Sequence, residues 1–257
     1  MPRMIRTPAV LAALALATVA VPAVAQTPAT SAAVDPAAVK ALTDMAAYLR
    51  NLKAFQVESA TTTDEVEDDG QLIQHTAKVN FVVQIPNKLL VNASGDRNER
   101  SFIYDGRTFT MFARRIGYYA TVPAPPTLRE LDDALSDNYG IDLPLADLFR
   151  FGSPNWKGAD IKAAMDVGPS EVDGITCEHY AFRQDEVDWQ VWIQKGDYPL
   201  PRKLVITTTT DAARPQHTAT FTWNLAPSFN EESFTFVPPS GAHKIVLTPA
   251  AEQQGVN

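Results

Sequence analysis

Four histidines, a run of acids and one cysteine are the side chains in this chain of 257 residues with the means to do chemistry, and their spacing limits what they can do. His75, His179, His217 and His243 fall in no H-x-H, H-E-x-x-H or C-x-x-C arrangement, so nothing gathers imidazole or thiolate ligands around a metal. No metal and no cofactor is expected. A G-x-S-x-G elbow, a Ser-x-x-Lys pair and a glycine-rich phosphate loop are all missing, which leaves nucleophilic catalysis without a sequence signature. Glu178 and His179 are the adjacent pair that a spatially assembled hydrolytic site could use. Asp64, Glu65, Glu67, Asp68 and Asp69 could offer carboxylate oxygens to calcium. Their spacing departs from an EF-hand loop and reads more simply as a solvated hairpin tip ahead of Gly70. Glu186 and Asp188 stand close together without the apolar pocket that acid and base work would need. Cys177 is the sole cysteine, which excludes an intramolecular disulfide, and it shares a strand face with Ile175 and His179 as a buried structural thiol would. Binding, not catalysis, is the expected business of the chain.

Aromatic and aliphatic residues on strand-like segments carry that expectation. Phe81 and Val83, Phe102 and Tyr104, and Phe109 and Met111 recur at spacing two, as do Trp189 and Val191, and Phe221 and Trp223. Each pair could be ordinary core. Together, on a sheet wide enough to need a helical cover, they could line a concavity that side chains do not fill. Leu128, Leu131 and Leu135, followed by Leu148 and Phe149, are the apolar stripe of that cover. Trp192 projects to the opposite, wet strand face and needs cover of its own, from a helix, the N-terminus, a partner or a ligand.

The elements that must position these residues are legible in the periodicity. Asp35 can cap a helix with Pro36 in its first turn, and Val39, Leu42, Met45, Leu49 and Leu52 then recur at helical spacing, giving a helix over about 36–52. After Lys53 the period becomes two, as in Ala77, Val79, Phe81, Val83 and Ile85. Asp69-Gly70, Asp105-Gly106 and Asp173-Gly174 each sit between strand-like runs and predict three antiparallel hairpins. Further strands are expected at 88–94, 117–122, 187–194, 203–210 and 217–225. A helical insertion at 123–156 interrupts them. It opens on the capping box of Thr127 and Glu130 and holds a second short helix near 144–150. The fold class expected is α+β, a single large curved antiparallel sheet with helices over its concave face, in one domain over 35–257.

Residues 1–25 read as a secretory signal peptide, with basic Arg3 and Arg6, an apolar run from Ala9 to Ala20, and cleavage after Ala25 in Ala23-Val24-Ala25. Gln26 is not the acylatable cysteine of a lipoprotein, so a soluble periplasmic protein that does not span the membrane is expected. Residues 26–34 are small, polar and aperiodic, as a disordered N-terminus is. Removing Arg3 and Arg6 takes the formal net charge from −8 to −10, which repels nucleic acid and disfavours anionic lipid surfaces. A monomer is expected.

The strand pair Val191-Trp192-Ile193 and Pro201-Arg202-Lys203-Leu204-Val205-Ile206, joined through Asp197-Tyr198-Pro199, is followed later by Phe234-Thr235-Phe236-Val237-Pro238-Pro239-Ser240-Gly241. This pattern resembles the LolA/LolB-like superfamily of periplasmic lipoprotein carriers and outer-membrane receptors, with its V-W-I-D…P-L-K-L hairpin and terminal F-x-F-x-P-P-x-G segment. Within that superfamily the chain is most similar to a bacterial family of predicted periplasmic proteins of unknown function, over most of 36–247. The resemblance implies an unclosed β-barrel with a helical lid and an apolar concavity that holds acyl chains. Residues 128–156 form a longer insertion than the carrier's usual lid, and no arginine matches the one that latches it. The expected function is a non-enzymatic periplasmic binder or carrier of a lipid, a lipoprotein acyl chain or another apolar ligand. An envelope sensor or assembly partner, taking a protein or peptide segment in the groove, is the alternative, since the superfamily also includes a stress-sensing regulator. A hydrolase is the third reading.

Overall fold

The computed structural model describes residues 33–141 and 161–249. Helical spacing gives way to period two where expected. Helix α1 (Pro36–Asn51) starts at Asp35, whose carboxylate accepts from Ala37 N at 2.8 Å, and buries the stripe Ala38, Leu42, Met45, Ala46 and Leu49. Six strands follow: β1 (Ala54–Val66), β2 (Leu72–Gln84), β3 (Lys88–Gly95), β4 (Glu99–Tyr104), β5 (Thr108–Ala113) and β6 (Tyr118–Pro123). Helix α2 (Leu128–Tyr139) comes next, capped by Thr127 Oγ1 and closed by Gly140 in the left-handed region at φ 62°. After it run β7 (Ala163–Val172), β8 (Ile175–Arg183), β9 (Val187–Gln194), β10 (Pro201–Thr208) and β11 (Gln216–Asn224), then a helical turn (Glu231–Phe234) and β12 (His243–Lys244). The expected leader, most of the stretch 26–34, and the second short helix with Leu148 and Phe149 lie outside the described residues.

All three Asp-Gly hairpins form, and at the β7–β8 turn Asp173 and Gly174 both hold positive φ, 49° and 77°. Three local expectations need correction. Asp64 and Glu65 belong to β1 itself and are engaged there: Asp64 accepts from Gln74 Nε2 at 3.0 Å, and Glu65 pairs with Arg97 and with His75. The solvated tip is confined to the residues that follow. Ile85 lies beyond the end of β2 and is exposed, because Pro86 starts the turn into β3. Strand β10 begins two residues early, at Pro201, which pairs with Ile193 before a register shift.

The strands form one sheet in the order β12-β6-β5-β4-β3-β2-β1-β11-β10-β9-β8-β7. It consists of two meanders, β6 to β1 and β11 to β7, joined where β1 pairs antiparallel with β11. β12 adds in parallel, beside β6. The edges β12 and β7 do not meet, so the barrel is unclosed. Strands lie about 4.8 Å apart, so a flat sheet of this order would be roughly 50 Å wide, against about 10 Å for each helix. Yet one hydrophobic cluster joins α1 and α2 to residues of β1–β5 and of β8, β9 and β11. Two helices can cover so many strands only if the sheet curls around them. The face they cover is the inner face.

Candidate functional site

Register builds the inner face in rows. Phe55, Val83, Leu89, Tyr104, Phe109 and Val122 stand side by side from β1 to β6. In the next row Trp223, Val57, Phe81, Val91, Phe102 and Met111 run from β11 to β5. In the other meander Phe182, Trp189 and Ile206 form one row, and Tyr180, Val191, Leu204 and Ala219 another. Rings within this floor pack on one another, with Phe102 6.0 Å from Phe109 and Phe182 4.2 Å from Trp189, centroid to centroid.

The residues expected to line the concavity are thereby brought together. Phe81, Val83, Phe102, Tyr104, Phe109, Trp189, Val191 and Phe221 are buried in one cluster, with Met111 and Trp223 packed against it. Leu131 and Leu135 of α2 join it fully and Leu128 partly. Among the described residues the floor is thus closed over by the protein's own helices. Tyr104 links floor to cover: its hydroxyl donates to the Pro125 carbonyl, in the segment leading into α2. Burial, then the charges of Glu130 and Asp105, push its pKa up to about 12, so it stays a neutral donor.

The polar end of the floor escaped the sequence reading. Along β1 the inner face runs Phe55, Val57, Ser59, Thr61, Thr63, passing from buried through half-buried to exposed. Ser59 is only 3% exposed, and its hydroxyl has no hydrogen-bond partner among the described residues. Beyond it His217 meets Thr63, with Nδ1 2.8 Å from Thr63 Oγ1, and burial holds the His217 pKa below its ordinary value. A lone serine in a strand gives no sequence signal.

The candidate chemistry elsewhere comes apart. Glu178 faces inward opposite Ile193 and pairs with Lys195, whereas His179 faces outward opposite Trp192. The adjacent pair points to opposite faces and cannot act as a dyad. His179 stacks on Trp192 at 3.9 Å, Lys203 Nζ lies 4.8 Å from the Trp192 ring, and the indole N–H donates to Ser170 Oγ at 3.1 Å. The cover that Trp192 needs comes from its own sheet. Asp188 is held by Arg183 and Arg214, whose hydrogen bonds keep its carboxyl below the usual range. Cys177 is buried, and burial pushes its thiol pKa up. No group of three or more His, Cys, Asp or Glu among the described residues could hold a metal ion.

Two clefts open among the described residues, one bordering the inner floor and one on the outer face. One, of about 380 Å³, opens between α1 and β8–β9 and is lined by Asp44, Asp166, Glu178, Tyr180 and Lys195. The other, of about 540 Å³, lies on the outer face among Ala60, Thr62, Lys78, Thr218 and Thr220. Among the described residues no helix is long and apolar enough to cross a membrane.

A family described as predicted periplasmic proteins, DUF2092, matches residues 38–248, nearly the whole sheet and both helices. The chain belongs to the DUF2092 family. No curated protein sequence matches this DUF2092 chain. Among solved structures it is similar to an uncharacterized conserved protein of Thermus thermophilus at 10% identity, covering 82% of this chain and 99% of that one with a TM-score of 0.46. It is similar to the Mycobacterium tuberculosis lipoprotein LppX at 12% identity, covering 76% and 100% with a TM-score of 0.39. A LolA superfamily protein of Nitrosomonas europaea is 10% identical, with 77% and 97% covered and a TM-score of 0.37.

Proposed function

We propose that the protein is a periplasmic carrier or binder of acyl chains, exported by the leader ending at Ala25, in which α2 lifts to admit the chain onto the inner floor. The observation that carries this reading is the unequal hold of the two helices on one apolar floor. Helix α1 buries five residues fully, whereas α2 buries only Leu131 and Leu135. At about 1.5–3 kcal/mol per fully buried leucine, these two side chains contribute about 3–6 kcal/mol to the hold on α2, beside the partly buried Leu128 and Tyr139. An acyl chain gains about 0.8 kcal/mol per buried methylene, so roughly eight methylenes on the floor offset the loss of the two leucines. Ordinary fatty acyl chains are long enough, and the exchange of helix for ligand is a population shift of accessible size.

The test is mass spectrometry of organic extracts from protein purified from periplasm without detergent, alongside titration with a fluorescent fatty acid. A stoichiometric acyl lipid, or saturable binding by emptied protein, is the expected result. Protein that carries no lipid and binds no fatty acid ends the carrier reading.

A further inference from the structure

We propose that Ser59 is the docking residue for the polar end of the bound amphiphile, an ester or carboxyl group whose acyl tail lies on the Phe81 side of the floor. The inference rests on the carrier reading above and adds ligand class and orientation to it. Ser59 sits at the boundary between the two parts of the inner face. On one side is the row of Trp223, Val57, Phe81 and Val91. On the other, register places Ala219, Thr61, Ala77 and Gly95 across β11, β1, β2 and β3, four small residues where the neighbouring floor carries phenylalanines. That row carries small side chains at the mouth of the floor, and Ala219 at its end is fully buried.

A buried hydroxyl without a partner costs about 1–3 kcal/mol of desolvation, and a plain core at this position would take alanine or valine. The other polar side chains of the mouth are engaged. Thr61 Oγ1 donates to the Ala77 carbonyl at 3.3 Å, and Thr63 Oγ1 contacts His217 Nδ1. Among the described residues Ser59 Oγ is left without a partner, 3% exposed at the edge of this row. A carbonyl or carboxyl oxygen of the ligand accepts a hydrogen bond from the Ser59 hydroxyl. The attached chain then runs along Val57 and Phe81, and the head beyond the carbonyl reaches the exposed end at Thr63. A hydrocarbon without a carbonyl makes no use of Ser59.

Ser59→Ala separates this from the reading beneath it. Emptied wild-type and variant protein are loaded with an uncharged naphthylamine dye, which is then displaced by oleic acid and by methyl oleate. The expected variant binds the dye as wild type does, melts no lower, and loses about three- to tenfold in affinity for both oleyl ligands, the worth of one hydrogen bond. Unchanged oleyl affinity in a folded variant overturns the Ser59 assignment and leaves the carrier reading standing. Wild-type protein that binds neither dye nor oleyl ligand overturns both. A variant that melts lower shows that Ser59 already had a partner, and that also overturns the assignment.

Discussion

The histidines matter here through what burial does to their protons. His217 and His179 both have pKa values lowered chiefly by burial, and neither has a carboxylate strong enough to offset it. A proton therefore binds more tightly to each in the unfolded chain than in the folded one. Stability from these two groups is complete above the unfolded value of about 6.5 and is lost as pH falls below it. The buffered carboxylates act in a different window, since Asp96, Asp105 and Asp188 have lowered pKa values and release their contribution only below the ordinary carboxylate range. Thermal melting should accordingly fall between pH 7.5 and pH 5, and a His179→Gln, His217→Gln double variant should flatten that slope. An equal fall in the double variant would assign the acid sensitivity elsewhere. At this scale the alternation that puts Cys177 and His179 on one face of β8 sends Glu178, the other hydrolytic candidate, to the opposite face.

Between elements, the difference in anchoring separates a wall from a cover. Leu42 on α1 and Leu135 on α2 are both fully buried leucines, so residue burial alone predicts the same cost for either truncation. Helix α1 is also pinned at its start, where Asp35 N donates to the Ala164 carbonyl of β7 at 3.0 Å, and near its end, where Tyr48 packs edge-on to Tyr198. Leu42→Ala should therefore cost the whole fold about 2–5 kcal/mol in urea unfolding. Leu135→Ala can cost no more than the undocking of α2. It should appear instead as faster amide exchange confined to 128–139 and faster uptake of an apolar dye, with a smaller shift of the urea midpoint. Equal losses in urea with no local exchange would make α2 part of the core. Both helices were legible because their signals are local: Asp35 with Pro36, and Thr127 with Glu130, whose backbone N–H indeed donates to Thr127 Oγ1. The hairpins were legible for the same reason. The β1–β11 pairing was not, because Ser59 meets Phe221 through a register that no local pattern encodes, and the floor's polar end was hidden with it.

For the molecule as a whole, the open sheet poses two problems, a single seam between meanders and two exposed edges. The seam is the β1–β11 ladder, from Gln56 opposite Asn224 to Thr63 opposite His217. One edge, β7, is blunted by the parallel bridge from Val34 to Ala164, a register shift between Asp166 and Gly168, and Pro169, which has no N–H to offer. The other, β6, is closed by the C-terminal segment, which leaves β11 and packs on the outer face beside the first meander. Phe236 lies 5.5 Å from Phe112 and 5.1 Å from Tyr119, Phe234 is fully buried, and β12 then pairs with β6. The F-x-F-x-P-P-x-G segment is thus a strap that ties the second meander to the far edge of the first, independent of the seam and of the inner floor. Phe234→Ala should cost about 3–5 kcal/mol in urea unfolding, as loss of a buried phenylalanine does. Because the strap lies on the outer face, the variant's affinity for an acyl probe should match wild type wherever it remains folded. With β6 loosened from β12, it should also form concentration-dependent oligomers in light scattering, through the freed edge. A monomeric variant of wild-type stability would show that the seam alone holds the two meanders together.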